Sequence, residues 1–170
     1  LLDQVALGYF KSLQNNRYNL SIEAFFKTIQ NRLDYIDGAE LIANNAIEQV
    51  LLSGIAEAKG LELLLRKNEG KLTGWLAYTL SRSVQQTQGR TPSETGISNG
   101  EWYFTPYDKT HDLSLTASYQ QNKRWRFNTN FLYQTGQPVT YPNGQYTFKG
   151  FSIANYESRN SSRLPAYHRL

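Results

Sequence analysis

The sequence predicts an all-β fold: an antiparallel up-and-down meander forming an arc of a large transmembrane β-barrel. Three observations carry this expectation. The first is strict alternation through the stretch His111–Pro138, HDLSLTASYQQNKRWRFNTNFLYQTGQP. Leu113, Leu115, Ala117 and Tyr119 fall on one face, and Ser114, Thr116, Ser118 and Gln120 on the other. After a short connection at Asn122-Lys123, Trp125, Phe127, Thr129, Phe131 and Tyr133 alternate with Arg126, Asn128, Asn130 and Gln134. Period-two alternation on both sides of a tight turn is the signature of a β-hairpin. The second observation is the contrast between the faces. One is apolar and aromatic along its length; the other is small and polar, with Leu132 as its exception. Each arm has about the nine to eleven residues that a tilted strand needs to cross a bilayer. The third is the order of connections, which alternate short and long through the chain, as in outer-membrane barrels with short periplasmic turns and long external loops.

The elements follow in order. Residues 5–13 place Val5, Leu7 and Tyr9 opposite Ala6, Gly8 and Ser12, and Gln14-Asn15-Asn16-Arg17 is a turn signal. Residues 18–30 resume with Leu20, Ile22, Ala24 and Phe26 on one face; Asn19, Ser21, Glu23 and Lys27 take the other, with Phe25 an exception. Residues 31–49 break the alternation and read as a long loop, with one helical turn suggested by Leu41, Ile42, Ala46 and Ile47. Residues 50–67 form the next strand, clearest at Leu61, Leu63 and Leu65 against Glu62, Leu64 and Arg66. A turn at 68–71 leads to a strand over 72–84, with Leu72, Leu76, Tyr78 and Leu80 on the apolar face. Trp75 falls on the polar parity, so either it faces inward or a bulge shifts the register. Residues 85–107 are polar, Gly-rich and contain Pro, and form a second long loop. The opening hairpin follows. Residues 135–162 make a third long loop whose middle, 145–154, fits a small hairpin, and 163–170 begin another strand. The turns at 14–17, 68–71 and 122–123 are expected on the periplasmic side and the three long loops outside. About six complete strands are too few to close a barrel, whose smallest common form has eight. A wide cylinder with a wet or plugged lumen accommodates Glu23, Lys27, Glu62, Arg66 and Arg126 on its inner wall.

Composition agrees. The chain has 170 residues, a net charge of +4 and 14% aromatic residues, mostly Tyr, which suits interfacial belts. Mean hydropathy is −0.58. No apolar run reaches about eighteen residues, which excludes a membrane-spanning helix but leaves spanning strands open. The absence of Cys excludes disulfides and thiolate metal sites. The positive charge suits anionic lipid head groups or acidic ligands, but fits scattered surface lysines better. With no Met, an alternating start at LLDQVALGYF and an end at AYHRL that reads as a strand just beginning, the chain is expected to be a partial barrel over 1–170.

Three stretches carry a family resemblance. They are GLELLLRKNEGKLTGWLAYTLSRS from Gly60 to Ser83, Tyr107-Asp108-Lys109-Thr110-His111 below a long loop, and YESRNSSRLPAYHRL from Tyr156 to Leu170. In order and spacing they resemble the barrel of TonB-dependent outer-membrane receptors, particularly the Bacteroidetes type, over essentially the whole chain. The resemblance implies a plug domain inside a barrel of about 22 strands. It also implies energised import of a scarce, bulky nutrient such as a siderophore, haem, cobalamin, peptide or glycan. The segment contains neither the plug nor the TonB-contacting box. Implied partners are outer-membrane lipid and lipopolysaccharide, the plug and remaining strands of the parent chain, and TonB through a region outside this segment. The implied location is the outer membrane of a Gram-negative cell. A passive pore or adhesin scaffold would share the barrel without the plug. A soluble all-β ligand-binding module would instead need both sheet faces covered by protein.

Few residues suggest chemistry. His111 and His168 lie far apart without partners at metal-ligand spacing. No phosphate loop, nucleophile elbow or metalloprotease motif occurs, and Glu57 and Glu62 fall on opposite strand faces, so no enzyme and no cofactor is expected. Basic–aromatic interleaving occurs without a nucleic-acid-binding fold, so no nucleic acid is expected. Trp102, Tyr103, Phe104 and Tyr107 form an aromatic cluster beside a long loop, suited to stacking on a ligand or to an outer girdle. Tyr141, Tyr146, Phe148, Phe151 and Tyr156 invite the same two readings. Arg90, Lys149, Arg159 and Arg163 are placed to meet lipopolysaccharide phosphates or to remain solvated. The expected lipid-facing set is Leu61, Leu63, Leu65, Leu76, Tyr78, Leu113, Leu115, Tyr119, Trp125, Phe127, Phe131 and Tyr133, with Tyr119 and Trp125 as inner girdle.

Overall fold

A computed structural model describes residues 1–39, 41–42 and 44–170; Glu40 and Ala43, inside the expected loop 31–49, lie outside the described residues. Among the described residues the regular elements are strands and two short 3-10 turns. The strands are β1 (Leu2–Leu13), β2 (Tyr18–Tyr35), β3 (Leu51–Lys67), β4 (Leu72–Gln86), β5 (Tyr103–Phe104) and β6 (His111–Gln120). Then come β7 (Arg126–Gln134), β8 (Pro138–Val139), β9 (Pro142–Phe148), β10 (Phe151–Tyr156), β11 (Ser162–Arg163) and β12 (Tyr167–Arg169). The main sheet follows the path β1-β2-β3-β4-β6-β7-β12, with β5 added beside β4. Every pairing is antiparallel, so the predicted meander is present, with a short seventh strand on its path. The sheet is open, with β1 and β12 as its edges.

Register decides what each face carries. One row runs through Tyr9, Ile22, Leu63, Tyr78, Leu113 and Tyr133, and the next through Leu20, Leu65, Leu76, Leu115 and Phe131. The opposite face carries the row Glu23, Glu62, Thr79, Asp112, Gln134 and the row Asn19, Arg66, Trp75, Thr116, Asn130. Pairing through Arg66, Trp75 and Thr116 has no shift, so Trp75 keeps the polar parity. Phe25 also keeps it, because its partner Gly60 leaves a gap that the ring fills: a Cβ on Gly60 would lie 2.8 Å from Phe25 Cζ.

The apolar face has charged limits. On β3, Leu61, Leu63 and Leu65 lie between Lys59 and Lys67, a stretch of about 26 Å along the strand at ~3.3 Å per residue. Tilted by ~40°, as barrel strands are, the same stretch is ~20 Å tall, close to the ~25 Å band of outer-membrane barrels once lysine stems reach outward. None of the twelve expected lipid-facing residues is buried. Leu61, Leu65 and Phe127 keep 43%, 42% and 53% of their surface.

Several boundaries differ from expectation. The strands β2, β3 and β4 have 18, 17 and 15 residues, and their excess extends toward the long loops. The broken alternation at residue 31 is a bulge rather than a strand end: pairing with β3 shifts between Ile29 and Arg32, and Asn31 has φ 55°. The extra residue moves Arg32 and Asp34 onto the parity of Leu52 and Gly54. The connection after β2 is therefore shorter than expected, ending in a 3-10 turn at Ile47–Val50. The turn expected at Asn122-Lys123 occupies residues 121–125, where Asn122 Oδ1 accepts the backbone N–H groups of Arg124 and Trp125. The loop expected over 85–107 starts later, since β4 reaches Gln86, and folds back through β5 onto β4. The third loop holds two small pairs, β8 with β11 and the anticipated hairpin β9–β10. That hairpin turns at Lys149-Gly150, both at positive φ, as a tight turn between twisted strands requires.

Because Asn31 occupies left-handed backbone, Asn31→Val should destabilise the protein by about 1–2 kcal/mol while Asn31→Gly stays near neutral. The check is the denaturant midpoint at unchanged slope. Equal midpoints for the two variants would contradict the bulge.

Candidate functional site

Beyond the apolar rows, at the end carrying the long connections, the sheet acquires its buried protein. The buried hydrophobic residues among those described are Leu52, Ala56, Ile97 and Tyr103, and partly buried Ile36 packs against the cluster of Leu52, Ile97 and Tyr103. The bulge in β2 aims Asp34 into this cluster. Its Oδ2 accepts hydrogen bonds from Gln85 Nε2 at 2.6 Å and from the Tyr103 hydroxyl at 2.9 Å. Thr87 Oγ1 lies 3.2 Å from the same hydroxyl, and Gln85 and Thr87 are both buried. Burial pushes the Tyr103 phenol from 10.0 up to about 12, against the opposing hydrogen bonds from Thr87 and Gln85, so the ring keeps its proton.

Two arginines of the third loop complete the assembly. Arg159 lies with Nη1 3.7 Å from Asp34 Oδ1, places Nε 3.0 Å from Asp37 Oδ1 and donates from Nη2 to the Tyr35 carbonyl at 2.6 Å. Asp37 also accepts the backbone N–H of Ser98 at 2.8 Å, so one carboxylate joins the first, second and third loops. Arg163 donates to the buried carboxylate of Asp108 at 2.5 Å, whose other oxygen accepts the Ser83 N–H. Asn160 donates to the Phe104 carbonyl at 2.7 Å. Arg159 and Arg163, expected either to meet lipopolysaccharide phosphates or to remain solvated, are instead committed to internal carboxylates. Arg90 is held by Glu94 and by the Gln49 carbonyl, and Lys149 lies over the Phe148 ring.

The aromatic cluster predicted at Trp102, Tyr103, Phe104 and Tyr107 is divided. Tyr103 retains 4% exposure and serves the buried network, so it offers no stacking face; this corrects its reading as a ligand contact. Phe104 is half-buried beneath the guanidinium groups of Arg82 and Arg163, at 5.2 and 4.7 Å. Trp102 and Tyr107 remain exposed, the latter beside Arg32 at 5.6 Å. Tyr141, Tyr146, Phe148, Phe151 and Tyr156 are all exposed around the β9–β10 hairpin. On the apolar face Tyr78 bonds His111 Nδ1 at 2.8 Å, and Trp125 stacks on Phe127 with centroids 6.2 Å apart.

Where the three connections meet they enclose a cleft of about 660 Å³, lined by Tyr35, Asp37, Leu41, Ser98, Tyr156 and Glu157 among others. Glu157 sits below the usual carboxylate range because the Tyr141 N–H and the Ser162 hydroxyl bond to it. Ring faces, fixed acceptors and backbone groups line this cleft. Among the described residues no three His, Asp or Glu side chains converge to hold a metal ion. Sequence reasoning missed Asp34, Asp37 and Asp108. The available signal was phase: once the bulge is allowed, Arg32 and Asp34 alternate with Leu33 and Tyr35.

No protein-family model, curated protein or solved structure matches the chain.

The Tyr103 phenol should titrate near pH 12 in the folded protein. Because its folded value exceeds its unfolded one, the associated stability is complete below pH ~10 and declines as pH rises through ~12. Ultraviolet phenolate titration and unfolding across that interval check this; Tyr103→Phe should abolish the late-titrating component.

Proposed function

We propose that this chain is a wall segment of a large outer-membrane β-barrel, in the manner of a TonB-dependent receptor. Its apolar face meets lipid, its polar face lines the lumen, and its long loops form the external mouth. The single observation that carries the proposal is the apolar band, continuous across six strands in register and limited by Lys59 and Lys67 on β3. A soluble domain rarely leaves so large a contiguous apolar surface uncovered. A bilayer also requires every backbone polar group to pair within the protein, which an antiparallel meander does everywhere except its edges. The edges β1 and β12 are positions for further barrel strands.

The opposite face suits an aqueous interior. Glu23 and Glu62 lie directly across from one another, with Thr79 and Asp112 continuing the row. Like charges opposite one another are disfavoured in a sheet, and water or a polar plug relieves them. At the mouth, the cleft among the three connections is the place where a bulky nutrient first meets this wall, and Asp34, Asp37 and Arg159 hold its rim together. The role is transport, with no catalytic step in this segment. A passive pore would use the same wall, and a plug domain in the parent protein separates the two.

Leu63 is central in the band. Leu63→Arg should cost about 2–4 kcal/mol of membrane-folded stability. Thr79→Arg, placed between Glu62 and Asp112 on the other face, should cost far less. Folding titrations into lipid vesicles check the difference, and equal costs would overturn the proposed orientation.

A further inference from the structure

We infer that the cleft among the three long connections takes a ligand bearing a free ammonium or guanidinium group, held by Glu157 and Tyr156. Calling that ligand the imported cargo rests on the barrel reading above; the chemistry of the cleft rests on the loops alone. Among the described residues Arg159 is the basic side chain in the lining of this cleft of about 660 Å³. Its guanidinium is already spent inside the protein. Nε lies 3.0 Å from Asp37, Nη1 lies 3.7 Å from Asp34, and Nη2 donates to the Tyr35 carbonyl at 2.6 Å. Glu157, in the same lining, has no ion pair among the described residues. Neutral donors hold it instead: the Tyr141 N–H on Oε1 and the Ser162 hydroxyl on Oε2, both at 2.9 Å. These bonds favour the ionised form and keep the carboxyl below its usual range. Each carboxylate oxygen has a further lone pair, so a cation can be added without displacing either donor.

The rest of the lining favours the same sign of charge. Tyr35 and Tyr156 both line the cleft and keep 36% and 59% of their surface. Electron-rich ring faces attract ammonium and guanidinium groups. Asp37, with its side chain 53% exposed, is the second carboxylate of the lining. An anionic ligand would meet Asp37 and Glu157 with only a shared guanidinium to offset them, whereas a cation completes Glu157 and covers a ring. Phosphorylated and polycarboxylate ligands are therefore disfavoured. Basic peptides and amino sugars carry the required group.

The test titrates the protein in neutral detergent with trilysine amide and with the glucosamine trimer, each beside its fully N-acetylated, uncharged counterpart. Wild type is compared with Glu157→Gln, with Tyr156→Leu and with Glu69→Gln in a short turn. Circular dichroism verifies that each variant keeps its sheet. Wild type and Glu69→Gln should bind at least one of the two cations roughly tenfold more tightly than its acetylated counterpart, and the tighter cation identifies the source. Glu157→Gln should abolish that preference while leaving the acetylated form bound as before. Tyr156→Leu should weaken the cation roughly threefold, and it carries the test alone if Glu157→Gln loses its sheet. Failure of both cations to bind, equal binding of charged and acetylated forms, or an undiminished preference in the folded variants would overturn the inference. Recovery of wild type in the aqueous fraction without detergent, with the preference for a cation intact, would overturn the barrel reading and leave the cleft's chemistry standing.

Discussion

The structure depends on register. Six neighbouring strands pair so that one row of apolar side chains runs across all of them, from Tyr9 through Ile22, Leu63, Tyr78 and Leu113 to Tyr133. Side-chain parity has a period of two, so slipping any one pair by a residue would send its whole apolar set to the polar side. The short turns hold this alignment. In the first, Gln14, Asn15 and Asn16 all adopt positive φ, which brings Leu13 opposite Tyr18. The cross-strand pairs then reinforce one another, and the sheet needs no second layer to define which side is which.

Among the described residues, the place in the main sheet where parity changes is where the chain takes on a different character. The bulge at Gln30 and Asn31 turns Arg32 and Asp34 to the side of Leu52. From there Asp34 reaches Tyr103 and Gln85, and Arg159 is drawn in behind it. The molecule thus has two zones with different physics. The banded zone is a single layer whose apolar face is left uncovered by the described residues. The loop zone is a small protein core with buried carboxylates, committed arginines and a protonated phenol. The proposed barrel wall would use both, one in lipid and the other as a shaped mouth in water, and a one-residue insertion separates them.

Local alternation made much of the fold legible. The run from Leu61 to Arg66 and the hairpin around Asn122 each declare their faces within a few residues. The bulge was not legible, because an extra residue and a strand end disturb alternation in the same way over a short window. The loop network was not legible either: Arg159 and Asp37 are 122 residues apart, and no local pattern pairs them. The aromatic run Trp102-Tyr103-Phe104 misled for a related reason. Composition marks such rings as available, whereas β5 pairing beside β4 buries the middle one.

The proposed division of the sheet into a hydrocarbon side and a water side is open to direct measurement. The chain has no Cys, so single cysteines placed in turn at residues 61 to 66 of β3 each carry one fluorescent label without background. In protein reconstituted in vesicles, quenchers attached to lipid tails should dim the labels at 61, 63 and 65, and an aqueous quencher those at 62, 64 and 66. Uniform quenching along the strand, or aqueous access at 61, 63 and 65, would contradict the account.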